Sequence, residues 1–157
     1  ITHNKNSKIN INHKNIKIII KKEKKIKLNS QIGYNSFAKK IYLLKNKINE
    51  FLLSQIKKNK TIYGYSAPAK ATTMINYLGI DDKILNAIFD KSHLKINKYT
   101  PGKHILILNP NEIKKIKPKI IIIFAWNIKD EIKKQLSFTK KWNCKLVCLV
   151  PNLKIIK

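Results

Sequence analysis

The spacing of apolar residues changes near residue 60, and this change divides the chain into two parts. From Ser36 to Lys57 apolar side chains recur every three or four residues, which predicts a long amphipathic helix. Isoleucines alternate in places with polar residues between positions 8 and 20, which predicts one or two strands before that helix. The segment from Lys21 to Asn29 is charged and follows neither pattern.

Beyond residue 60 short apolar runs alternate with short helical patterns. Strands are predicted at Thr61–Tyr65, Ala87–Phe89, His104–Leu108, Ile120–Ala125 and Cys144–Val150. Helices are predicted at Ala69–Leu78, Pro110–Ile116 and Ile128–Trp142, with a helical turn from Asp81 to Leu85 and a loop from Ser92 to Lys103. This order predicts an α/β domain with a Rossmann-like, three-layer, mostly parallel sheet.

Composition adds a strong positive charge, formally +26, carried entirely by lysine because the chain contains no arginine. Arginine is the residue that grips phosphate and guanine with two bonds at once, so its absence argues against nucleic-acid recognition. The joint excess of lysine, asparagine and isoleucine is typical of A/T-rich coding sequence, and we interpret the charge as compositional background. The alternative is a lysine-rich α/β module that binds nucleic acid.

The two cysteines and the apolar runs exclude several further classes. In a strand Cys144 and Cys148 would lie about 13 Å apart, too far for a disulfide, and no clustered histidines complete a zinc site. The longest apolar run, Ile120 to Trp126, is too short to span a bilayer. We therefore expect a cytoplasmic protein with no membrane partner and no metal. Because the chain opens on Ile1 in what reads as mid-domain, we expect a piece of something longer.

Candidate chemistry lies where predicted strands end, since parallel sheets bind ligands at the carboxyl ends of their strands. The first such stretch is GYSAPAKATT, residues 64–73. A lysine at a helix N-terminus opposes the helix dipole unless an anion lies between them, so Lys70 predicts a phosphate held by the amides of the turn. The alternative is that Lys70 points into water. The candidate residues of this turn are Gly64, Tyr65, Ser66, Ala67, Ala69 and Lys70.

A second cluster follows the second predicted strand of this part. Asp90 can accept ribose hydroxyls, and the loop after it offers donors and an aromatic ring. The candidates here are Asp90, Lys95, Tyr99, Thr100, Pro101, Gly102 and His104, of which His104, at a strand start, is more often structural. The loop can equally be a polar surface turn.

A third cluster stands where the apolar run from Ile120 gives way to a helix. Trp126 can stack on a base or sugar ring, or fill the core. Asn127 is equally consistent with a plain helix N-cap.

In order, GYSAPAKATT, SHLKINKYTPGKHILI and FAWNIKDEI resemble motifs of the C-terminal domain of the sugar C-methyltransferases, over about Tyr34 to Pro151. The family's first motif is usually G-Y-G-A-x-A-K-G, so Ser66 and Ala71 replace two glycines. The opening residues from His3 to Ile9 are faintly similar to the stretch that precedes this domain. The resemblance therefore implies a boundary, with residues 1–30 a remnant of the preceding domain and 31–157 the C-terminal α/β domain.

The resemblance also implies a function. In such enzymes this domain holds a nucleotide-linked keto-sugar, while S-adenosylmethionine and zinc are bound by other domains, and the enolate of the sugar attacks the cofactor's methyl group. The family's acid/base stretch and a glycine-rich cofactor loop have no counterpart in these residues. The chain alone is thus expected to bind nucleotide-sugar weakly or not at all and to be inactive; a decayed gene product that keeps only the fold is a further alternative.

Overall fold

The structure, a computed structural model, describes residues 13–156. It divides into two compact units, one ending at Leu43 and the other beginning at Leu44. The boundary between them falls within one long helix.

The first unit contains helix α1 (His13–Lys25) and the first half of α2 (Gln31–Ile56). The predicted strand was wrong for residues 13–20, because Ile16, Ile19 and Ile20 follow helical spacing and lysine is a good helix former. Residues 8–12 of that prediction lie outside the described residues. Ser30 caps α2 by accepting a hydrogen bond from the Gly33 N–H at 3.1 Å.

The long helix predicted from Ser36 to Lys57 is confirmed as part of α2. In the second unit its side chains Ile48 and Leu52 are 1% exposed and belong to the core. Its solvent face carries lysine and asparagine, as the pattern predicts, but also apolar side chains such as Phe37 and Leu53, which are more than half exposed.

The second unit is built on a six-stranded sheet in the order β3-β2-β1-β4-β5-β6. The strands are β1 (Ile62–Tyr65), β2 (Ile88–Phe89), β3 (Ile107–Leu108), β4 (Ile120–Ile123), β5 (Lys145–Cys148) and β6 (Lys154–Ile156). The first five are parallel to their neighbours, and β6 runs antiparallel to β5. The predicted mostly parallel α/β sheet is confirmed, although β6 was not predicted.

Three helices follow the parallel strands: α3 (Ala69–Leu78), α4 (Ile113–Ile116) and α5 (Lys129–Gln135). The predicted bounds of α3 are confirmed, and Gly79 ends it with φ 74°. Short 3-10 segments at Pro110–Glu112, Trp126–Ile128 and Ser137–Trp142 extend the helical regions around α4 and α5.

The sheet has a core on each face, which makes the predicted three layers. One core contains Ala71 and Ile75 of α3 together with the α2 side chains. The other contains Ile113 of α4 and Ile132 of α5. The four consecutive isoleucines of β4 are all buried because alternate side chains enter opposite cores.

The chain reverses its direction of winding between β1 and β4. From β1 it passes through α3 on one face to β2, and from β4 it passes through α5 on the other face to β5. The carboxyl ends of the neighbouring strands β1 and β4 therefore border a crevice, which is where open α/β sheets bind ligands.

Candidate functional site

The turn after β1 is held tightly against the sheet. Ser66 has φ 68°, a left-handed conformation, and its N–H donates to the Phe89 carbonyl at 2.7 Å. A Cβ at Gly64 would lie 2.7 Å from a ring carbon of Phe124, so the glycine is needed for core packing. Because Gly64 has no side chain, the Phe124 ring fits against it, and the space is not available to a ligand.

Asp90, at the end of β2, is buried and braces this turn. Its Oδ2 accepts the Ala67 N–H at 2.6 Å, and its Oδ1 accepts the Ser92 N–H at 2.8 Å. Lys95 Nζ lies 3.5 Å from Oδ2 and also donates to the Ala67 carbonyl at 2.9 Å. The carboxylate predicted to accept ribose hydroxyls therefore already accepts bonds from the protein.

The N-terminus of α3 keeps part of its donor capacity. Pro68 occupies the N-cap position without a side-chain hydrogen bond, and its carbonyl accepts the Ala71 N–H at 2.8 Å. Within residues 13–156, the N–H groups of Ala69 and Lys70 make no hydrogen bond to a backbone carbonyl outside the helix. These two amides remain able to donate to a ligand.

The Lys70 side chain reaches across the crevice to the residues that follow β4. Its Nζ donates to Asn127 Oδ1 and lies 5.2 Å from the centroid of the Trp126 ring. Trp126 is 38% exposed, so it lies at the surface rather than in the core. The first and third predicted clusters therefore meet at the switch point between β1 and β4.

The second predicted cluster is split by the fold. Lys95 joins Asp90 at the carboxyl edge, but the chain then runs back antiparallel to β3, with Tyr99 opposite Leu106. The remaining residues lie at the start of β3, toward the opposite edge of the sheet. The Thr100 hydroxyl accepts the Ile105 N–H at 3.0 Å. The Pro101 carbonyl accepts a hydrogen bond from Asn76 of α3, and Gly102 packs on the same side chain. His104 is exposed and has φ 49°.

Sequence reasoning missed the polar residues of α5 that face the end of β1. The Tyr65 hydroxyl donates to Gln135 Oε1 at 3.3 Å, and Gln135 Nε2 donates to Glu131 Oε1 at 3.0 Å. Burial, and secondarily the charge of Asp90, raises the pKa of Tyr65 above its usual value, so the phenol stays protonated at neutral pH. The spacing of Glu131 and Gln135, four apart on a helix, was the available signal.

The described residues give no support for a metal site, a membrane-spanning helix or a reactive cysteine. Residues 13–156 contain no group of three His, Cys, Asp or Glu side chains able to hold a metal ion. None of the helices in that range combines the length and apolar character required to cross a membrane. Cys148 is a buried free thiol, and burial raises the pKa of Cys144 to about 11, so neither is an activated nucleophile.

Comparison with known proteins identifies the family. A model of the C-methyltransferase C-terminal domain matches residues 1–151. The chain belongs to this family. The resemblance found in the sequence is thereby confirmed.

Two individual proteins are similar to this C-methyltransferase domain. The C-methyltransferase NovU of Streptomyces niveus is 28% identical over 99 residues, which cover 63% of this chain and 24% of NovU. The chain thus spans about a quarter of that relative's length. A crystal structure of UDP-D-quinovosamine 4-dehydrogenase from Vibrio fischeri aligns with a TM-score of 0.45 and 18% identity, covering 62% of this chain and 93% of that one.

Proposed function

We propose that this domain binds the nucleotide-linked keto-sugar substrate of a C-methyltransferase that uses S-adenosylmethionine. Its membership of the C-methyltransferase C-terminal domain family supports the reaction class. The binding role is supported by the crevice between the ends of β1 and β4, where Lys70 meets Trp126 and Asn127. In this proposal the 157 residues act as part of a longer protein.

The observation that carries the binding role is the position of Lys70 beside two open amides. A diphosphate at the N-terminus of α3 could accept from the Ala69 and Lys70 N–H groups and from the Lys70 ammonium. The hydrogen bond to Asn127 holds that ammonium over the crevice. Trp126, half exposed beside it, offers a face for a ring of the ligand.

S-adenosylmethionine does not fit the turn that follows β1. A cofactor-binding turn of the Rossmann type needs glycines for close approach, and here Ser66, Ala67 and Ala69 stand after the tightly packed Gly64. The Ala67 N–H is also taken by Asp90. We therefore assign the methyl donor to another part of the longer protein and derive no step through it here.

The test is the replacement of Lys70 by alanine. We expect weak binding of UDP-glucose, dTDP-glucose and inorganic pyrophosphate by the wild-type chain, measured by amide chemical shifts in NMR titrations to millimolar ligand. Perturbed amides should include those of residues 126–127 and of residues 64–70 other than Pro68, which has no N–H. Lys70→Ala should weaken binding about tenfold, because one charge-assisted contact to phosphate is lost.

Lys83→Ala is the matched control. Lys83 is exposed in the turn after α3, and its replacement removes the same charge. If both variants weaken binding equally, the ligand responds to net charge and not to the crevice. If no ligand perturbs residues 64–70, the proposed function is wrong.

A further inference from the structure

Two adjoining cavities lie on the α4 and α5 face of the sheet, at the carboxyl ends of the strands. Their volumes are about 410 and 200 Å³, and Tyr65, Lys91 and Gln135 line both. We call them together the carboxyl-edge groove. Its walls come from the segments that follow β1, β2, β3 and β4, so the groove runs along the edge where this class of sheet binds ligands.

A row of three polar side chains lines the groove. Tyr65 donates to Gln135, which donates to Glu131, as described above. Each member keeps unused capacity: the second Glu131 oxygen, the second Gln135 N–H and the lone pairs of the Tyr65 hydroxyl. The row can therefore accept hydrogen bonds from a ligand and donate hydrogen bonds to it while its own two hydrogen bonds stay intact.

The charge of this row decides which part of a ligand suits it. Glu131 carries a carboxylate, so a phosphate placed beside it would be repelled. Hydroxyl groups, by contrast, donate to carboxylate and amide oxygens and accept from an amide N–H. The row therefore favours a neutral ring with several hydroxyls. Lys91 lines both cavities beside the row, and Lys114 lines the larger one.

The groove is continuous with the turn that leads to Lys70. Ser66 and Asp90 line the smaller cavity, and Asp90 also accepts the Ala67 N–H three residues before Lys70. A ligand whose phosphate lies at the start of α3 would thus have its next ring near the groove.

We propose that Tyr65, Gln135 and Glu131 form a subsite for a polyhydroxylated ring of the nucleotide-sugar, with Gln135 at its centre. This inference rests on the proposed function, because the diphosphate must lie at Lys70 for the ring to reach the row. The ring is either the ribose or the hexose, which present the same chemistry to these side chains. The subsite replaces the ribose role predicted for Asp90, whose carboxylate is engaged by the protein.

The experiment combines shift mapping with two near-isosteric variants of the 157-residue chain. Gln135→Met removes the amide, and Tyr65→Phe removes the hydroxyl. Each should weaken UDP-glucose binding about fivefold, the effect of losing a neutral hydrogen bond, and leave binding of inorganic pyrophosphate unchanged. The controls are Gln31→Met and Tyr77→Phe, both at exposed positions.

In the wild-type chain, UDP-glucose should shift the amides of residues 131–136 together with those of 64–70. If it shifts only residues 64–70, the proposed function stands and the subsite is wrong. If it shifts neither set, both are wrong. Equal losses for UDP and UDP-glucose in Gln135→Met would identify the ribose, and a loss confined to UDP-glucose would identify the hexose. Shift mapping keeps the inference testable if a variant fails to fold.

Discussion

Ser66 shows how a single backbone angle connects stability with the candidate site. Its φ of 68° lies in the left-handed region, where a side chain costs about 1 to 2 kcal/mol of strain relative to glycine. Glycine adopts this conformation without strain because it has no Cβ. The turn thus keeps the shape that glycine would allow, at some cost in stability.

Ser66→Gly should therefore raise the free energy of unfolding by about 0.5 to 1 kcal/mol, because relief of the left-handed strain exceeds the added entropy of the unfolded chain. Urea denaturation monitored by circular dichroism would measure it. Gly79→Ser is the reverse control, since Gly79 has φ 74° and open space around its Cβ position. It should lose about 1 kcal/mol. A destabilised Ser66→Gly would contradict the strain argument.

At the scale of elements, Asp90 joins the end of β2 to the turn after β1. Two backbone N–H groups and Lys95 depend on its carboxylate, which is 10% exposed. Removing one buried acceptor leaves its donors unsatisfied, which costs more than the net value of the bonds themselves. The carboxylate therefore holds both strand ends in place at the candidate site.

Asp90→Ala should lower the free energy of unfolding by about 2 to 3 kcal/mol. The matched control is Asp130→Ala, whose side chain is 78% exposed and pairs with Lys129 at the surface. That change should stay within about 0.5 kcal/mol. Both are measured by urea titration at neutral pH, and equal effects of the two substitutions would show that Asp90 is not a brace.

How far sequence predicted the elements depends on whether local signals mark their ends. Helix α3 was predicted with its observed bounds because Pro68 and Gly79 mark both ends. Helix α1 was predicted as strand because a short isoleucine run fits either period, and only Ile19 breaks the alternation. Strand β6 has three residues, too few to show a pattern.

The prediction of the candidate site was likewise limited to what local sequence signals reveal. Lys70 and Asn127 could be placed on the same edge of the sheet because both follow strands of a parallel sheet, although the sequence did not show that those strands are neighbours. Thr100 and His104 could not, since the chain before β3 doubles back through a tertiary pairing that no local pattern reveals. Gln135 was missed because a polar side chain on a helix surface looks the same whether it faces solvent or a groove.

At the scale of the whole molecule, charge alone does not distinguish one lysine from another. None of the lysines in the described part of the chain is buried, and most have no acidic partner there. What distinguishes Lys70 is therefore its position between α3 and Trp126, and not its charge.

The chain spans about a quarter of NovU, so the proposed activity belongs to a longer protein. C-methylation requires a base beside the carbon next to the ketone and a methyl donor held within reach of it. Here Asp90 is engaged by backbone amides, and the turn after β1 offers no glycine-rich seat for the donor. In the proposed division of roles, the base and the methyl donor come from other parts of the longer protein, so sugar binding and methyl transfer should be separable.

We therefore expect no methyl transfer when the 157-residue chain is incubated with S-adenosylmethionine and a nucleotide-linked keto-sugar. Transfer of radiolabelled methyl from the donor would measure it against a reaction without protein. The control is the same preparation in the nucleotide-sugar titration, which shows that the domain is folded and binds. Methyl transfer above background would mean that these residues carry both a base and a donor site, and would overturn the assignment of chemistry to the rest of the longer protein.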